Sequence, residues 1–520
     1  MASYEFMVPL LLEISTVLAW LHLGLACLLA LYALHSYAII GMLLTFRSSE
    51  SSERQESGTI GERWIAKHGW PEVVTQLPIY NEQHVARRII TAAAEMDYAT
   101  SKHVVQVLDD SDDETIQIID QVAEELNLRR AQGEAIAEIQ VIRRDERSGF
   151  KAGALAYGIS QTTAPFMAVF DADFIPEPDF LRRSIPHFFA ADDIGFVQGR
   201  WTFLNHAEFS LTRAQGIGLD SHFAIEQGAR SSHPNTFMNF NGTAGIWRAA
   251  AIEDAGGWSA STLTEDLELS YRTQMKGWQG VYLPDLEVPC ELPASFSGFK
   301  SQQFRWAKGS IQTALRLYPG IVKSGMPLVA KIEAFFHLTH YLVHPLLFVL
   351  VLLTPATIFS QSETLAPGWA GTLLLAASFA PVVFYSFGQS CLHRNWLQRL
   401  IYLPALTLAG MGLALSNAKA VWEAVTGRTS PFIRTPKQGQ SEEQTYWVKF
   451  PVWPRYELLL GGYTLLAAIA AWNYGSWGTA QFTLLASAAF LYMGFFSERE
   501  LRGRKKPQRT QGSQRRIYIK

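Results

Sequence analysis

The chain has 520 residues, 48% of them hydrophobic and 18% charged, and its mean hydropathy of +0.05 is high for a soluble protein. A formal net charge of −3 supplies no overall basic field, which argues against nucleic acid as a partner. Cys27, Cys290 and Cys391 are too far apart for metal-ligand spacing and read as unpaired thiols in a reducing or lipid setting.

Residues 8–46 carry a single charge, Glu13. The run Val17–Phe46 is long enough to cross a bilayer, which takes about 20 apolar residues. It lacks a basic start and a small-residue cleavage site, so it reads as an anchor rather than a cleaved signal peptide. From Arg47 to about Tyr318 the chain is polar-patterned and globular. Apolar segments follow near 332–359, 369–390, 400–422, 456–473 and 477–496, and a basic tail over 499–520 is expected to be disordered. Arginine and lysine cluster after the first span, at Arg394 and Arg399, over 427–455 and in the tail, whereas the connections 361–368 and 473–477 have none. Because cytosolic loops retain such residues, the pattern predicts five spans, a cytosolic polar block and an interfacial or re-entrant helix over 400–422. Six spans would place 427–455 outside.

Within the polar block, Val73–Tyr80, Val104–Leu108, Ile139–Ile142 and Phe166–Phe170 read as buried strands. Helical patterns such as Asp112–Leu126 separate them, which predicts an α/β domain with a mostly parallel sheet. Ligands bind such sheets at the carboxyl ends of strands, where Asn81-Glu82, Asp109-Asp110 and Asp171 fall.

The chemistry-bearing motifs each admit a plain alternative. Asp171-Ala172-Asp173 is either a solvated turn or a pair of carboxylates holding one Mg²⁺ or Mn²⁺ that bridges to a diphosphate. Asp109 and Asp110 can accept hydrogen bonds from a base NH or a ribose hydroxyl, while Ser111, Asp112 and Asp113 suit a helix cap. Lys151 opposes the macrodipole at a helix start, which suggests an anionic partner. Asn241-Gly242-Thr243 adds an amide-bearing turn to the set. Thr264-Glu265-Asp266 opens a helix over Glu265–Met275 as a capping box, or presents Asp266 as a general base for a sugar hydroxyl. Gln302, Arg305 and Trp306 lie on an amphipathic helix. Arg305 suits a phosphate and Trp306 a sugar face, unless the helix merely lies at a membrane interface.

Taken in order, these stretches resemble the processive family-2 glycosyltransferases of the cellulose-synthase-like superfamily, above all the plant-type mannan and glucan synthases and their bacterial relatives. The resemblance is carried by Val107–Ser111, Gly149–Leu155, Phe170–Phe174, Pro176–Arg183, Phe240–Arg248, Glu291–Pro293 and Gln302–Trp306, and spans roughly 72–310. Phe432–Lys437 is similar to the mobile gating loop of bacterial cellulose synthase, with Arg434 in place of the usual valine, and makes Phe432, Thr435 and Lys437 gating candidates. The resemblance implies a membrane helix over 1–46, a cytosolic GT-A domain over 62–295 and amphipathic interface helices over 296–325. It also implies a membrane region over 332–496 that holds the gating-like loop 427–450.

It further implies roles for the motif residues. Asp109, Asp110, Lys151, Asp171, Gln302 and Arg305 would bind the sugar nucleotide, and Asp171 and Asp173 the Mg²⁺ or Mn²⁺. Asn241, Gly242, Thr243 and Trp306 would line the acceptor, with Asn241 near the place of the family's cysteine, and Asp266 would be the base. The product would be a β-linked glycan made from UDP-glucose or GDP-mannose and moved across a bacterial inner membrane, with polysaccharide, sugar nucleotide and membrane lipids as partners. A lipid β-glucosyltransferase shares the motifs. A transporter or scaffold with a degenerate enzyme domain does not, since every expected carboxylate is present. No cyclic-di-GMP regulation is expected, because too little chain follows the gating-like stretch.

Overall fold

The computed structural model describes residues 2–233, 236–359, 368–428 and 450–504. The gating candidates Phe432, Thr435 and Lys437 and the tail beyond 504 lie outside the described residues.

Helix α1 (Ala2–His68) does not stop where the apolar run ends. It continues through Glu53, Arg54, Gln55 and Glu56, residues of good helix propensity that water solvates readily, and docks on the globular domain. There Trp64 stacks on Phe189 with centroids 3.8 Å apart. The domain boundary expected near 46 is therefore crossed by one unbroken helix.

The first half of the domain is β1 (Val73–Ile79), α2 (Ala86–Ala94), β2 (His103–Asp109), α3 (Thr115–Ala131), β3 (Glu138–Arg143), α4 (Phe150–Ser160) and β4 (Phe166–Val169). These strands are parallel, with Val74 opposite Val104 and Met167, and β1 and β4 are buried almost throughout. Near-continuous Val, Ile, Phe and Met sequence is what a sheet covered on both faces requires. The polar residues inside it are paired: Gln76 Nε2 donates to Gln106 Oε1 at 3.0 Å, and Thr75 Oγ1 meets His103 Nε2 at 2.8 Å.

The second half is α5 (Phe180–Ser184), a 3₁₀ turn (Ile185–Phe189), β5 (Ile194–Phe203), α6 (Ser210–Ser221), a π-helical turn (His222–Gln227) and α7 (Gly228–Ser232). It continues with β6 (Gly245–Arg248), α8 (Ala249–Asp254), α9 (Glu265–Met275) and β7 (Gln279–Cys290). The seven strands lie in the order β3-β2-β1-β4-β6-β5-β7. Short β6 runs antiparallel to both β4 and β5, and β5 and β7 are parallel to each other. The domain is thus a GT-A-like α/β unit with a mostly parallel sheet, and β5 to β7 extend the four strands legible in the sequence.

A long amphipathic helix, α10 (Phe296–Lys323), leads to α11 (Leu328–Thr339), α12 (Val343–Phe359), α13 (Gly368–Leu392), α14 (Trp396–Arg399), α15 (Leu403–Gly412), α16 (Ala414–Val425), α17 (Pro454–Asn473) and α18 (Trp477–Arg504). Where interface helices in the plural were expected over 296–325, one helix covers the stretch. Among the described residues, four helices are long and apolar enough to cross a membrane: Glu13–Arg47, Leu328–Ile358, Gly371–Leu392 and Trp477–Gly503. The pair Trp396–Gly412 and Ala414–Val425, bent by 41°, makes a fifth if taken as one span. Helix α17 falls outside this set because Glu457, Thr464 and Asn473 dilute its apolar surface. It nonetheless packs tightly on α18, with Ser487 Oγ donating to Gly461 O at 2.9 Å. Helix α1 is joined to the later helices by Tyr32 Oη and Thr339 Oγ1 at 2.9 Å. The first residues of the expected basic tail, 499–504, are the last turns of α18.

Candidate active site

The carboxyl ends of β1, β2 and β4, the turn before β6, the start of α9 and the middle of α10 enclose one cleft of about 190 Å³. Asp110, Lys151, Asp171, Asp173, Asn241, Gly242, Asp266, Gln302, Arg305 and Trp306 all line it. Two expected residues do not.

Asp109 ends β2 with its side chain fully buried. Its carboxylate accepts from Arg143 Nε at 2.7 Å and from the Ser111 N–H at 3.0 Å. Successive strand residues face opposite sides, so Asp110 reaches the cleft and Asp109 braces the turn. Asp110 is itself held by Arg144, through Nε at 3.0 Å and a terminal nitrogen at 2.5 Å. Thr243 is likewise buried, and its Oγ1 accepts the Asp171 N–H at 2.8 Å. It fixes the backbone of the acidic turn rather than lining the cleft.

Lys151 Nζ lies 2.5 Å from Asp171 Oδ1 and 2.8 Å from the Gly242 carbonyl. Burial alone would lower its pKa, but Asp171, Glu265 and Asp266 outweigh burial and raise it, so the group stays an ammonium. Gly242 adopts φ +81, where a side chain is strained, and a Cβ there would come within 2.6 Å of Asp266 Oδ2. Only glycine lets this turn approach the carboxylate. Asn241 Oδ1 accepts from Asn239 Nδ2 at 2.7 Å and faces His222 Nε2 at 3.2 Å.

Asp266 sits in the first turn of α9. Burial and neighbouring Glu265 push its pKa up to about 7, against the opposing pull of Lys151. A capping box does not form: Thr264 is the N-cap, yet its side chain makes no cap hydrogen bond. Its hydroxyl faces Thr313 instead, at 3.4 Å. The helix start therefore owes nothing to the Thr264 side chain, and the acid beside it stands at the cleft. Arg305 brings a guanidinium to these carboxylates; burial draws its pKa down while Glu265, Asp171, Asp266 and Asp173 oppose the shift.

The carboxylates fit a divalent cation only in company. Among the described residues no group of three or more His, Cys, Asp and Glu converges on a metal position. Asp171 and Asp173 together supply what Mg²⁺-type sites commonly take from protein, one or two carboxylates, with the remaining oxygens from phosphate and water.

Three further residues line the cleft, two of them, Arg147 and Trp201, without having been singled out, and Glu265 without having been given a role. Arg147 lies over the Tyr80 ring, 3.3 Å from its centroid, and Glu265 stands beside Asp266. Trp201 presents an indole whose buried Nε1 makes no hydrogen bond. Arg147 was detectable as part of the cationic run Arg143, Arg144, Arg147 just before Lys151. Trp201 depended on β5, whose pairing is not visible in the sequence.

Residues 71–309 match the family model described as glycosyltransferase like family 2. Glucomannan 4-beta-mannosyltransferase 7 of Arabidopsis thaliana is 33% identical over 444 residues, covering 82% of this chain and 76% of the relative. Glucomannan 4-beta-mannosyltransferase 1 of Oryza sativa subsp. japonica is 34% identical, covering 72% and 71%. Glucomannan 4-beta-mannosyltransferase 2 of Arabidopsis thaliana reaches 42% identity over 50% of this chain and 48% of its own. Among solved structures, mannosyltransferase PcManGT from Pyrobaculum calidifontis, in complex with GDP-Man and Mn²⁺, superposes with a TM-score of 0.46 at 18% identity, covering 75% of this chain and 100% of that one.

Proposed function

The chain belongs to glycosyltransferase family 2, in the cellulose-synthase-like group with the plant glucomannan 4-beta-mannosyltransferases, and we propose that it is a membrane-integrated, inverting mannosyltransferase that extends a β-linked mannan or glucomannan from GDP-mannose. The observation that carries the chemistry is Asp266, a carboxylate raised to about 7 in the same cleft as Lys151, Asp171, Asp173 and Arg305. A base with that value is half ionised near neutral pH, where proton abstraction is most effective. The sugar is taken from the names of the relatives.

In this reading Asp110 and Arg147 hold the nucleoside end of the donor, and Lys151 and Arg305 meet its diphosphate. Trp306 and Asn241 orient the acceptor sugar. The acceptor hydroxyl oxygen attacks the anomeric carbon as the bond from that carbon to the phosphate oxygen breaks. Asp266 takes the hydroxyl proton, and the nucleoside diphosphate leaves with the bonding electrons. Attack opposite the leaving group turns an α-linked donor into a β-linked product. Lys151 and Arg305 offset charge that grows on the departing diphosphate. Asp171 and Asp173 would hold a Mg²⁺ or Mn²⁺ ion, which would supply Lewis-acid stabilisation of that charge.

The membrane-crossing candidates support integration in a bilayer, and the arginine and lysine clusters after the first span and over 427–455 support a cytosolic catalytic domain. The relatives named above are plant proteins, and the expected bacterial inner membrane draws no support from them. Purified protein given radiolabelled GDP-mannose or UDP-glucose, followed by digestion with linkage-specific hydrolases, tests the proposal. A β-mannanase-sensitive polymer from GDP-mannose is expected. Incorporation from UDP-glucose alone, or a single sugar on a lipid, would overturn it.

A further inference from the structure

The helix that carries Gln302, Arg305 and Trp306 into the cleft is gripped by two charged groups with no part in the transfer. Lys300 precedes this strip and Lys308 follows it, so the two bracket it over about 12 Å of helix at 1.5 Å per residue. Lys300 is wholly buried, as is its partner Glu457 at the start of α17, and Nζ lies 2.6 Å from the carboxylate. The same ammonium donates to Ser497 Oγ of α18 at 3.1 Å and lies 5.0 Å from the Phe450 ring centroid. Lys308, equally buried, donates to Glu423 Oε2 near the end of α16 at 2.9 Å.

Two full charges taken out of water are an expensive way to join helices. Replacing such a pair by apolar residues of similar volume is often neutral or stabilising, and its best-attested use is to select one register over others. An apolar interface tolerates a helix that slides or rotates slightly, whereas a buried ammonium must meet its carboxylate. Here the two pairs attach α10 to α16 on one side of the cleft strip and to α17 on the other. Gly309, next to Lys308, lets α10 approach the Thr264 backbone so closely that a Cβ would come within 2.8 Å of its nitrogen. The register of α10 therefore sets the position of Arg305 and Trp306 against Asp266.

We propose that Lys300 and Lys308 are positioning residues for glycosyl transfer, their buried ion pairs with Glu457 and Glu423 locking the Gln302–Trp306 strip in one register against the membrane helices and the start of α9. The inference rests on the reading that this strip holds the acceptor and the diphosphate. The full-length protein tests it in detergent with paired apolar replacements, Lys300→Met with Glu457→Leu and Lys308→Met with Glu423→Leu. Each pair removes the ammonium and its carboxylate together, so neither variant strands one buried charge of the pair. The expected result is a Tm close to that of the wild type with kcat reduced at least about 10-fold, since misplacement of a site by about 1 Å can cost on the order of 10²-fold. Folded paired variants with wild-type kcat and acceptor KM would overturn the proposal, as would a lowered Tm with normal kinetics in the folded fraction. Trp306→Ala separates the two layers of the argument. If it leaves the acceptor KM unchanged, the reading of the strip fails and takes the clamp with it. If it raises that KM while the paired variants remain normal, the clamp alone fails.

Discussion

At the scale of single residues, the site turns on how burial and neighbouring charge divide labour among acids of one type. Asp109 is neutralised by Arg143 and turned inward, Asp110 is gripped by Arg144, and Asp171 is shared with Lys151. Asp266 is pushed up to about 7 by burial and Glu265. If Asp266 is the base, it works only when ionised, so kcat should climb tenfold per pH unit below about 7 and level off above it. A rate flat from pH 5 to 8 would remove it from that role. Asp266→Asn should lower turnover by on the order of 10²–10⁴ while donor affinity stays close to normal.

Its stability effect has a definite sign. The folded protein holds a proton on Asp266 over the window from the ordinary value of 3.8 up to about 7, where the unfolded chain has lost it. Stability from this group therefore falls as pH rises through that window, and Asp266→Asn should melt no lower than the wild type at pH 8. A drop of several degrees would restore a structural role for the carboxylate. Asp171 and Asp173 lead to a separate expectation: EDTA should abolish transfer and Mn²⁺ or Mg²⁺ should restore it, with Asp173→Asn defective at every metal concentration. Full activity in EDTA would end the metal reading.

At the scale of elements, the contact between α9 and α10 holds the acid and the Arg-Trp strip together. Gly309 sits in the middle of α10, where alanine would favour the helix by about 1 kcal/mol over glycine. Packing decides the other way. A Cβ at 309 would lie 2.6 Å from Thr264 Cγ2 and 2.8 Å from Thr264 N. Because that backbone starts α9, it has little room to yield. Gly309→Ala should therefore separate the two helices and cut kcat at least about 10-fold, in line with the sensitivity of transfer to roughly 1 Å of misplacement. Wild-type turnover in this variant would mean that α9 and α10 need no close approach.

At the scale of the whole molecule, the domain lies between α1 and the helices after α10, which include those long and apolar enough to cross a membrane. If basic residues mark the cytosolic side, the cleft and the exposed Asp285 face the cytosol, and the 473–477 connection faces out provided that α17, which falls short of the apolar spans, nonetheless crosses. In protein with Cys27→Ala and Cys391→Ala, Tyr474→Cys should react with an impermeant maleimide on intact cells, and Asp285→Cys only after permeabilisation. Labelling of both from outside would invert the topology. The same experiment bears on α17 and the bent pair of α15 and α16 together, since Tyr474 lies outside only if one of the two crosses and the other does not.

Much of this was present in the chain itself. Four buried strands could be read because a sheet covered on both faces needs unbroken apolar runs, and α9 was legible from Glu265 to Met275. Asp109, Asp110 and Asp171 announced themselves as carboxylates at strand ends, and Lys151 and Asp266 as charged groups at helix starts. Other features needed the fold. Strand β6 holds four residues, too few for a periodic signal, and it pairs antiparallel with two neighbours distant in sequence. Which of two adjacent aspartates faces the cleft depends on the pleat at the end of β2, and a single step reverses it. Glu457 and Glu423 lie more than a hundred residues from the lysines they meet, so nothing local could have marked them. Local sequence determines the strands, the helices and the chemical types at their ends, because propensity and burial pattern act over a few residues. Only tertiary structure decides which charges meet, because a pKa, an ion pair and a cleft belong to groups that the chain brings together from far apart.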